Sequence, residues 1–209
     1  MNDHSFILKG RYTLKEKKAK YKQIIDAAIV VIAENGYHSA QVSKIAKQAG
    51  VADGTIYLYF KNKEDILISL FRERLMNHIA EVKKSIDAKQ TAAEKLFALI
   101  EKHFQMLVHD RNLAVVLQLE LRQVNKELRR RINEIFKEYL KVIDEVIEFG
   151  KKTGEFRQDL DLRLARQMIF GTMDETATTW VMKDQKYDLL AIAEKIPELL
   201  INGFKSNHS

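Results

Sequence analysis

The chain has 209 residues, among them eight Gly and a single Pro. Roughly 15 Gly and 10 Pro are expected at this length. Because turns depend on these residues, their scarcity disfavours barrels, sandwiches and doubly wound sheets and leaves an all-α fold. The absence of Cys excludes disulfide scaffolds, cysteine-ligated zinc and thiol catalysis. A formal net charge of +6 at pH 7 permits a polyanionic partner without requiring one.

The excess positive charge lies near the N-terminus. Residues 9–22 contain seven Lys or Arg and one Glu, and we interpret this segment as a basic arm that contacts DNA phosphates. Apolar residues recur at helical spacing as far as Ile32, and Asn35 and Gly36 supply a stop signal. The first helix is therefore predicted over about 14–34.

Two short helices joined by a tight turn are predicted within the next segment. Ser39 is a candidate N-cap for a helix over about 41–48, and Asp53 is a candidate N-cap for a helix over 53–60. This layout is that of a helix-turn-helix, whose second helix enters the major groove of DNA. Small and polar residues at the start of the second helix suit a close approach to the bases.

The rest of the chain is predicted to form long amphipathic helices. Apolar residues at helical spacing indicate helices over about 64–88, 91–108, 112–123, 125–152, 160–183 and 189–205. With the three N-terminal helices this gives about nine. Pro197 lies inside the last pattern and predicts a kink, or a helix that restarts near Glu194. We expect a DNA-binding domain over residues 1–65 and a second helical domain over 66–209.

A set of short motifs characterises the helix-turn-helix segment. They are Gly36-Tyr37, Ile45-Ala46, Ala49-Gly50-Val51, Gly54-Thr55-Ile56-Tyr57, Tyr59-Phe60 and Lys63-Glu64. The segment resembles the DNA-binding domain of TetR-family transcriptional repressors. The resemblance implies DNA contacts from Gln41, Ser43, Lys44, Gly54, Thr55, Tyr57, Leu58, Tyr59 and Lys63. Asp53 departs from the expected chemistry because an acid repels phosphates, although it could cap the helix or accept a hydrogen bond from a cytosine amine.

Three stretches in the C-terminal half extend the resemblance. They are QLELRQ at 118–123, ELRRRINEI at 127–135 and RLARQMIFGTMDETATTWVMKDQKYDL at 163–189. These stretches are similar to the fatty-acid-degradation repressors of Bacillus-type bacteria within the same family. The resemblance implies a homodimer that binds a pseudo-palindromic operator and leaves it when long-chain acyl-CoA binds.

The expected assembly gives the long helices distinct roles. The helices over 160–183 and 189–205 are the predicted dimer surface, where they pair with their counterparts as a four-helix bundle. DNA binding requires the two recognition helices to lie roughly 34–36 Å apart. The helix over 64–88 belongs to both predicted domains, so its tilt would set this spacing.

The residues permit an acyl-CoA ligand, which needs an apolar tunnel for the chain and cations for the phosphates. Candidate wall residues are Phe97, Phe104, Leu107, Leu117, Phe136, Tyr139, Phe170, Met173 and Trp180. Candidate phosphate ligands are Arg122, Lys126, Arg129 and Arg130. The first three of these cations would share one face if their helix were continuous.

Several alternatives remain open at this stage. Apolar residues at helical spacing also form cores, and the arginine run could be a solvated face or form salt bridges in a dimer. Asp174 and Glu175 would suit a multidrug-sensing repressor that binds cationic compounds, although Asp174 could equally pair with Arg122. An acyl-CoA-dependent enzyme that carries a DNA-binding unit and a nucleoid-type structural DNA binder are alternatives from other classes.

Other expectations concern chemistry and location. The sequence shows no nucleophile elbow, nucleotide-binding loop or zinc motif, so we expect a non-enzyme without a cofactor or a metal. The first ten residues lack the apolar core of a signal peptide, and no apolar stretch reaches the roughly 18 residues of a membrane span. We therefore expect a cytoplasmic protein with no membrane partner.

Overall fold

Helices form the framework of the structure, which confirms the all-α prediction. A computed structural model describes residues 13–122 and 124–204, and these residues contain ten α-helices and one short 3-10 helix. The α-helices are α1 (Leu14–Asn35), α2 (Val42–Gln48), α3 (Asp53–Ile56), α4 (Lys63–Asp87), α5 (Ala92–His109), α6 (Arg111–Gln118), α7 (Lys126–Thr153), α8 (Leu162–Met182), α9 (Leu189–Ala193) and α10 (Ile196–Phe204).

The count exceeds the predicted nine because the last apolar pattern forms two helices. α9 ends at its C-cap, Glu194, and α10 begins at Ile196 with Pro197 in its first turn. A proline is tolerated there because the first backbone N–H groups of a helix have no partner within the helix. The predicted restart near Glu194 is therefore confirmed.

The chain divides into two compact units, and the division falls inside α4. The first unit ends at Leu70 and the second begins at Phe71, a few residues beyond the boundary that we placed between residues 65 and 66. None of the described helices combines the length and the apolar character that a membrane crossing requires.

α1 begins with a capping box. The Thr13 hydroxyl accepts a hydrogen bond from the Glu16 amide at 3.2 Å, and the Glu16 carboxylate accepts one from the Thr13 amide at 2.7 Å. These two bonds satisfy backbone donors at the helix start. The segment predicted as a basic arm is therefore helical from Leu14 onward, and residues 9–12 lie outside the described residues.

The caps predicted for the two short helices are wrong. Ser39 lies in the turn after α1, and α2 begins only at Val42, with Gln41 as an N-cap that makes no side-chain hydrogen bond. Asp53 is the first residue of α3 rather than its cap, where its charge favours the helix N-terminus. α3 is also shorter than predicted, but backbone hydrogen bonds continue the coil as turns to Phe60.

The second unit is organised by α7, the longest helix. Asn125 caps α7 by accepting a hydrogen bond from the Leu128 amide at 2.9 Å, and Gly154 ends it in the left-handed conformation. α7 packs against α5 and α8, and α5 also contacts α9 and α10. Near its end α7 requires a glycine, because a Cβ at Gly150 would overlap the ring of Phe156.

The connection between α6 and α7 differs from the prediction. α6 ends at Gln118, a 3-10 turn covers Glu120–Arg122, and α7 begins at Lys126. Asn125 caps the start of α7, so Arg122 lies on a separate element from Lys126 and Arg129. The continuous helix on which these three residues would share one face does not form.

Candidate functional site

The short α3 and the turn that follows it present an exposed surface held by two buried anchors. Ile56 and Phe60 are buried, and the ring of Phe60 stacks on Tyr21 with centroids 5.2 Å apart. Between the anchors, Tyr57 and Leu58 are 59% and 54% exposed. Apolar surface of this size at two adjacent positions is available for contact with another molecule.

The other residues predicted to contact DNA divide by exposure. Gln41, Ser43, Lys44 and Gly54 are exposed, whereas Thr55 and Tyr59 are half-buried. Among the described residues, apart from the chain neighbours and the helix's own backbone, no atom lies within 4 Å of a Cβ built on Gly54, so a partner can approach this backbone closely. The Lys44 ammonium donates a hydrogen bond to the side-chain carbonyl of Asn35 at 2.7 Å, which ties α2 to the end of α1.

Lys63 makes contacts within its own unit. Its ammonium donates hydrogen bonds to the carbonyls of Tyr37 and His38 at 2.9 and 3.0 Å, and it lies 4.6 Å from the centre of the Tyr37 ring. Partial burial lowers the pKa of Lys63. All three interactions fasten α4 to the loop after α1, and the DNA contact of Lys63 stays a prediction.

A cavity of about 430 Å³ lies in the second unit, within the usual range of ligand pockets. Five α-helices and the 3-10 turn contribute to its wall. The lining residues are Phe71, Leu75, His78, His103, Met106, Leu117, Gln118, Leu121, Arg122, Arg129, Ile132, Asn133, Phe136, Tyr139, Phe170 and Asp174. Most of the wall is apolar, and the charged groups are confined to Arg122, Arg129 and Asp174.

Six of the predicted ligand-binding residues line this cavity. They are Leu117, Phe136, Tyr139, Phe170, Arg122 and Arg129. The rings of Phe136 and Phe170 meet edge to face with centroids 4.9 Å apart. The cavity therefore combines an aromatic wall with two guanidinium groups.

The structure places the other predicted ligand-binding residues elsewhere. Phe104, Leu107, Met173 and Trp180 are buried in the core and do not line the cavity. Phe97 is 36% exposed and faces a separate groove beside Pro197. The reason is geometric, because a helix has only one face toward the cavity and apolar residues on its other faces pack against neighbouring helices.

Two predicted phosphate ligands are also placed elsewhere. Lys126 and Arg130 are exposed on α7 and do not line the cavity. Arg130 forms a salt bridge with Glu127 at 2.9 Å along the surface of the helix. Adjacent residues on a helix point in different directions, so Arg129 lines the cavity while Arg130 does not.

The charged part of the cavity is a connected network. The Arg122 guanidinium donates to the Asp174 carboxylate at 2.7 Å and to the Thr178 hydroxyl at 2.9 Å. Arg129 donates to the carbonyl of Arg122 at 2.7 Å and to that of Val124 at 3.3 Å. The network joins the α6–α7 connection to α8, and it confirms the pairing of Asp174 with Arg122 considered from the sequence. We call Arg122, Arg129 and Asp174 together the arginine mouth.

The cavity wall also contains two histidines and a tyrosine that contact one another. The Nδ1 atom of His103 lies 2.9 Å from the Tyr139 hydroxyl, and the two rings stack. His78 packs on both rings, with centroids 6.0 Å from His103 and 5.4 Å from Tyr139. Burial lowers the pKa of His78 to about 4 and that of His103 to about 3. At neutral pH this polar cluster therefore carries no charge and is compatible with an apolar chain.

Sequence reasoning missed several lining residues on α4 and α5. Phe71, Leu75 and His78 follow spacings of four and three and share one face of α4. That face is indistinguishable by periodicity from a face that packs in the core. A single His within an apolar stripe gives no signal of its own.

Comparisons with known proteins agree with the two separate resemblances. The family model described as bacterial regulatory proteins, tetR family, matches residues 24–70, and the model described as YsiA-like protein, C-terminal region, matches residues 71–203. Over 190 residues the chain is 63% identical to the fatty acid metabolism regulator protein of Bacillus subtilis strain 168, covering 91% of this chain and 98% of the relative.

Two solved structures are similar over most of the chain. The transcriptional regulator FadR from Bacillus subtilis, in complex with stearoyl-CoA, gives a TM-score of 0.86 with 64% identity and covers 88% of this chain and 99% of that chain. The fatty acid degradation regulator FadR from Bacillus halodurans also gives 0.86, with 57% identity, and covers 88% of this chain and 100% of that chain. The resemblances drawn from the sequence are confirmed by these matches.

The buried histidines predict a specific loss of stability in acid. The pKa of each is lower in the folded protein than its ordinary value of about 6.5, so their neutral burial has full effect above pH 6.5. As the pH falls from 6.5 toward 4, the unfolded chain binds protons that the folded chain excludes, at a cost of up to about 1.4 kcal/mol per pH unit for each histidine. We therefore expect the urea concentration at the midpoint of unfolding to decrease when the pH is lowered from 7 to 5.

In the double variant His78→Leu, His103→Phe, the urea midpoint should decrease less between pH 7 and pH 5 than in the unmodified protein. The exposed His109→Gln variant is the matched control and should decline as the unmodified protein does. An equal decline in the double variant would contradict the assignment to the buried pair.

Proposed function

This chain belongs to the TetR family of bacterial regulatory proteins, and from that premise we propose that it is a transcriptional repressor released from its operator by long-chain acyl-CoA. In this proposal it binds a pseudo-palindromic operator as a homodimer and controls genes of fatty-acid degradation. Its action on DNA implies a cytoplasmic location. Binding of DNA and ligand accounts for the described sites without any catalytic step.

The ligand assignment depends chiefly on the chemistry of the cavity. An apolar aromatic wall suits an acyl chain, and the arginine mouth suits phosphate oxygens, which guanidinium groups can bind with two parallel hydrogen bonds. The FadR relative from Bacillus subtilis is known in complex with stearoyl-CoA. Asp174 is already paired with Arg122 and the mouth retains an excess of positive charge, so the arrangement favours an anionic head group over a cationic drug.

DNA recognition is assigned to the exposed surface between Ile56 and Phe60. Tyr57 can donate its hydroxyl proton to a phosphate oxygen, and Gly54 permits close approach of the backbone. Gln41, Ser43 and Lys44 are exposed on or beside α2 and complete the proposed contact surface.

The proposed dimer surface includes exposed apolar residues on α8 and α10. Leu164, Met168 and Leu199 are 57%, 45% and 73% exposed. Leu164, Met168 and Gly171 follow one face of α8, and a Cβ built on Gly171 has open space around it within the chain. Burial of this face against a second copy would remove apolar surface from water and explain a glycine in mid-helix.

Coupling between ligand and DNA is assigned to α4. The helix contributes Lys63 to the first unit and Phe71, Leu75 and His78 to the cavity wall of the second. A ligand that favours a different arrangement of α4 must weaken DNA binding by the same factor by which DNA weakens ligand binding.

The release step gives the central prediction. Stearoyl-CoA should weaken binding to a DNA duplex, selected by the protein from a random library, by about 5- to 150-fold, the usual range of allosteric coupling. Fluorescence anisotropy of the labelled duplex at fixed salt measures this change, and CoA without an acyl chain is the control. An unchanged DNA affinity at saturating stearoyl-CoA would refute ligand-induced release. If the duplexes selected from the library contain no palindrome, the protein would instead be a nucleoid-type DNA binder.

The DNA surface can be tested separately with one residue. Tyr57→Ala should weaken duplex binding by about tenfold, because it removes a phosphate hydrogen bond and apolar contact area. Stearoyl-CoA binding by the same variant, measured by calorimetry, should be unchanged. A variant that binds the duplex as tightly as the unmodified protein would remove Tyr57 from the contact surface.

Two neighbouring arginines provide a matched test of the head-group site. Arg129→Ala should lower stearoyl-CoA affinity by about tenfold, since a hydrogen bond to a charged group contributes roughly 1.5–3 kcal/mol. Arg130→Ala removes the same charge one residue further along α7, outside the cavity, and should leave the affinity unchanged. Equal effects of both variants would reveal a general charge effect rather than a site.

The dimer surface predicts a change in oligomeric state. Leu164→Glu combined with Met168→Glu should convert dimers to monomers in sedimentation equilibrium, because it places charges in a desolvated interface. Met76→Glu alters an exposed apolar residue on α4, outside the proposed interface, and should remain dimeric. A dimeric double variant would require another interface.

A further inference from the structure

The arginine mouth contains its own anion. The Asp174 carboxylate lies 2.7 Å from Arg122, and both residues line the cavity. Their side chains are only partly exposed, at 30% and 49%. An anionic ligand group that binds Arg122 through the same nitrogen therefore competes with the Asp174 carboxylate and the Thr178 hydroxyl, which accept the hydrogen bonds of that nitrogen.

The surrounding bonds hold this pair in place. Thr178 accepts a hydrogen bond from the same guanidinium nitrogen of Arg122 at 2.9 Å, and its hydroxyl lies 2.9 Å from the Gln118 side-chain oxygen. Arg129 fixes the backbone of Arg122 through its carbonyl. Arg122 is thus held in place by interactions other than its ion pair with Asp174.

We propose that Asp174 is a specificity-determining residue that selects CoA thioesters against free fatty acids by competing with the ligand for Arg122. This inference rests on the proposed function, because it concerns the same cavity and ligand class. It adds a discrimination between two forms of one acyl chain.

The discrimination follows from the groups that are exchanged. A free fatty acid offers one carboxylate, so its binding to Arg122 replaces one carboxylate–guanidinium pair by another and leaves Asp174 without its cation. A CoA thioester offers several phosphate oxygens with greater charge, which can engage Arg122 and Arg129 together. Separation of Arg122 from Asp174 costs either ligand the same, but the thioester can also be held by Arg129 while that pair stays intact. Competition by Asp174 therefore weakens binding of the fatty acid more than that of the thioester.

The test compares lauroyl-CoA with laurate in titration calorimetry. In Asp174→Asn the side chain keeps its shape and a hydrogen-bonding oxygen but loses its charge. For a partly exposed ion pair we expect laurate affinity to rise by about three- to tenfold, with a smaller rise for lauroyl-CoA. The ratio of the two dissociation constants should consequently shrink. An unchanged or larger ratio would overturn the proposal.

A second salt bridge to α8, away from the cavity, supplies the matched control. Asp144 on α7 pairs with Arg166 on α8 at 2.6 Å, and neither residue lines the cavity. Asp144→Asn should leave the selectivity ratio unchanged, even where it lowers thermal stability. A change in the ratio equal to that of Asp174→Asn would mean that selectivity responds to loosening of α7 against α8, and the proposal would fail.

A double-mutant cycle tests the route through Arg122. In an Arg122→Gln background the Asp174→Asn change should no longer raise laurate affinity, because the cation that it liberates is absent. A full gain in that background would exclude competition for Arg122. Failure of the unmodified protein to bind stearoyl-CoA at all would instead refute the proposed function, so the two failures are distinguishable.

Discussion

One helical stripe constrains the whole second unit. The 28 residues of α7 bury Val142, Ile143, Val146 and Ile147 in the core of the unit, and the same face carries Arg129 and Tyr139 into the cavity. A helix repeats its direction every 3.6 residues, so the position of any one of these side chains fixes the others. The packing that stabilises the second unit therefore also sets the distance between the arginine mouth and the neutral histidine end of the cavity.

The interruption before α7 gives the cavity its charged part. A helix continuing from α6 would have placed Arg122 and Arg129 on one face, about two turns apart. The 3-10 turn and the Asn125 cap instead fold the connection back, so that Arg129 bonds to the carbonyl of Arg122. Two cations from different elements converge on one opening, and this convergence, rather than the length of the basic run, distinguishes Arg129 from Arg130.

Much of the fold follows from local signals, and much of the site does not. The scarcity of glycine and proline, the periodicity of the apolar residues and the position of Pro197 predict the helices and the division of the last one. Caps proved harder, because Ser39 and Asp53 have the right chemistry but the backbone at those positions serves a turn and a first helical residue. A side chain becomes a cap only when the backbone geometry permits the bond, and composition does not encode that geometry.

The cavity shows the same limit more clearly. Phe136 and Phe104 are both aromatic residues at helical spacing, yet the first lines the cavity and the second is buried in the core. The difference depends on which neighbouring helix faces each residue, and this is a property of the tertiary structure. Charge is more informative than apolarity here, since the pairing of Arg122 with Asp174 could be considered from their types alone, whereas nothing in the sequence marked His78 as a wall residue.

The neutral state of the histidine cluster has a consequence for coupling through α4. His78 lines the cavity from the same helix as Phe71 and Leu75, and burial keeps it uncharged at neutral pH. A charged group at this position would attract water or a counter-ion into the cavity and would make its filling by an acyl chain costly. A ligand shifts a conformational equilibrium only by the difference between its affinities for the two conformations. Because the wall is neutral, apolar contacts between the acyl chain and α4 can supply that difference in affinity. The release of DNA would then depend on how far the acyl chain extends along α4, while the arginine mouth would discriminate between head groups.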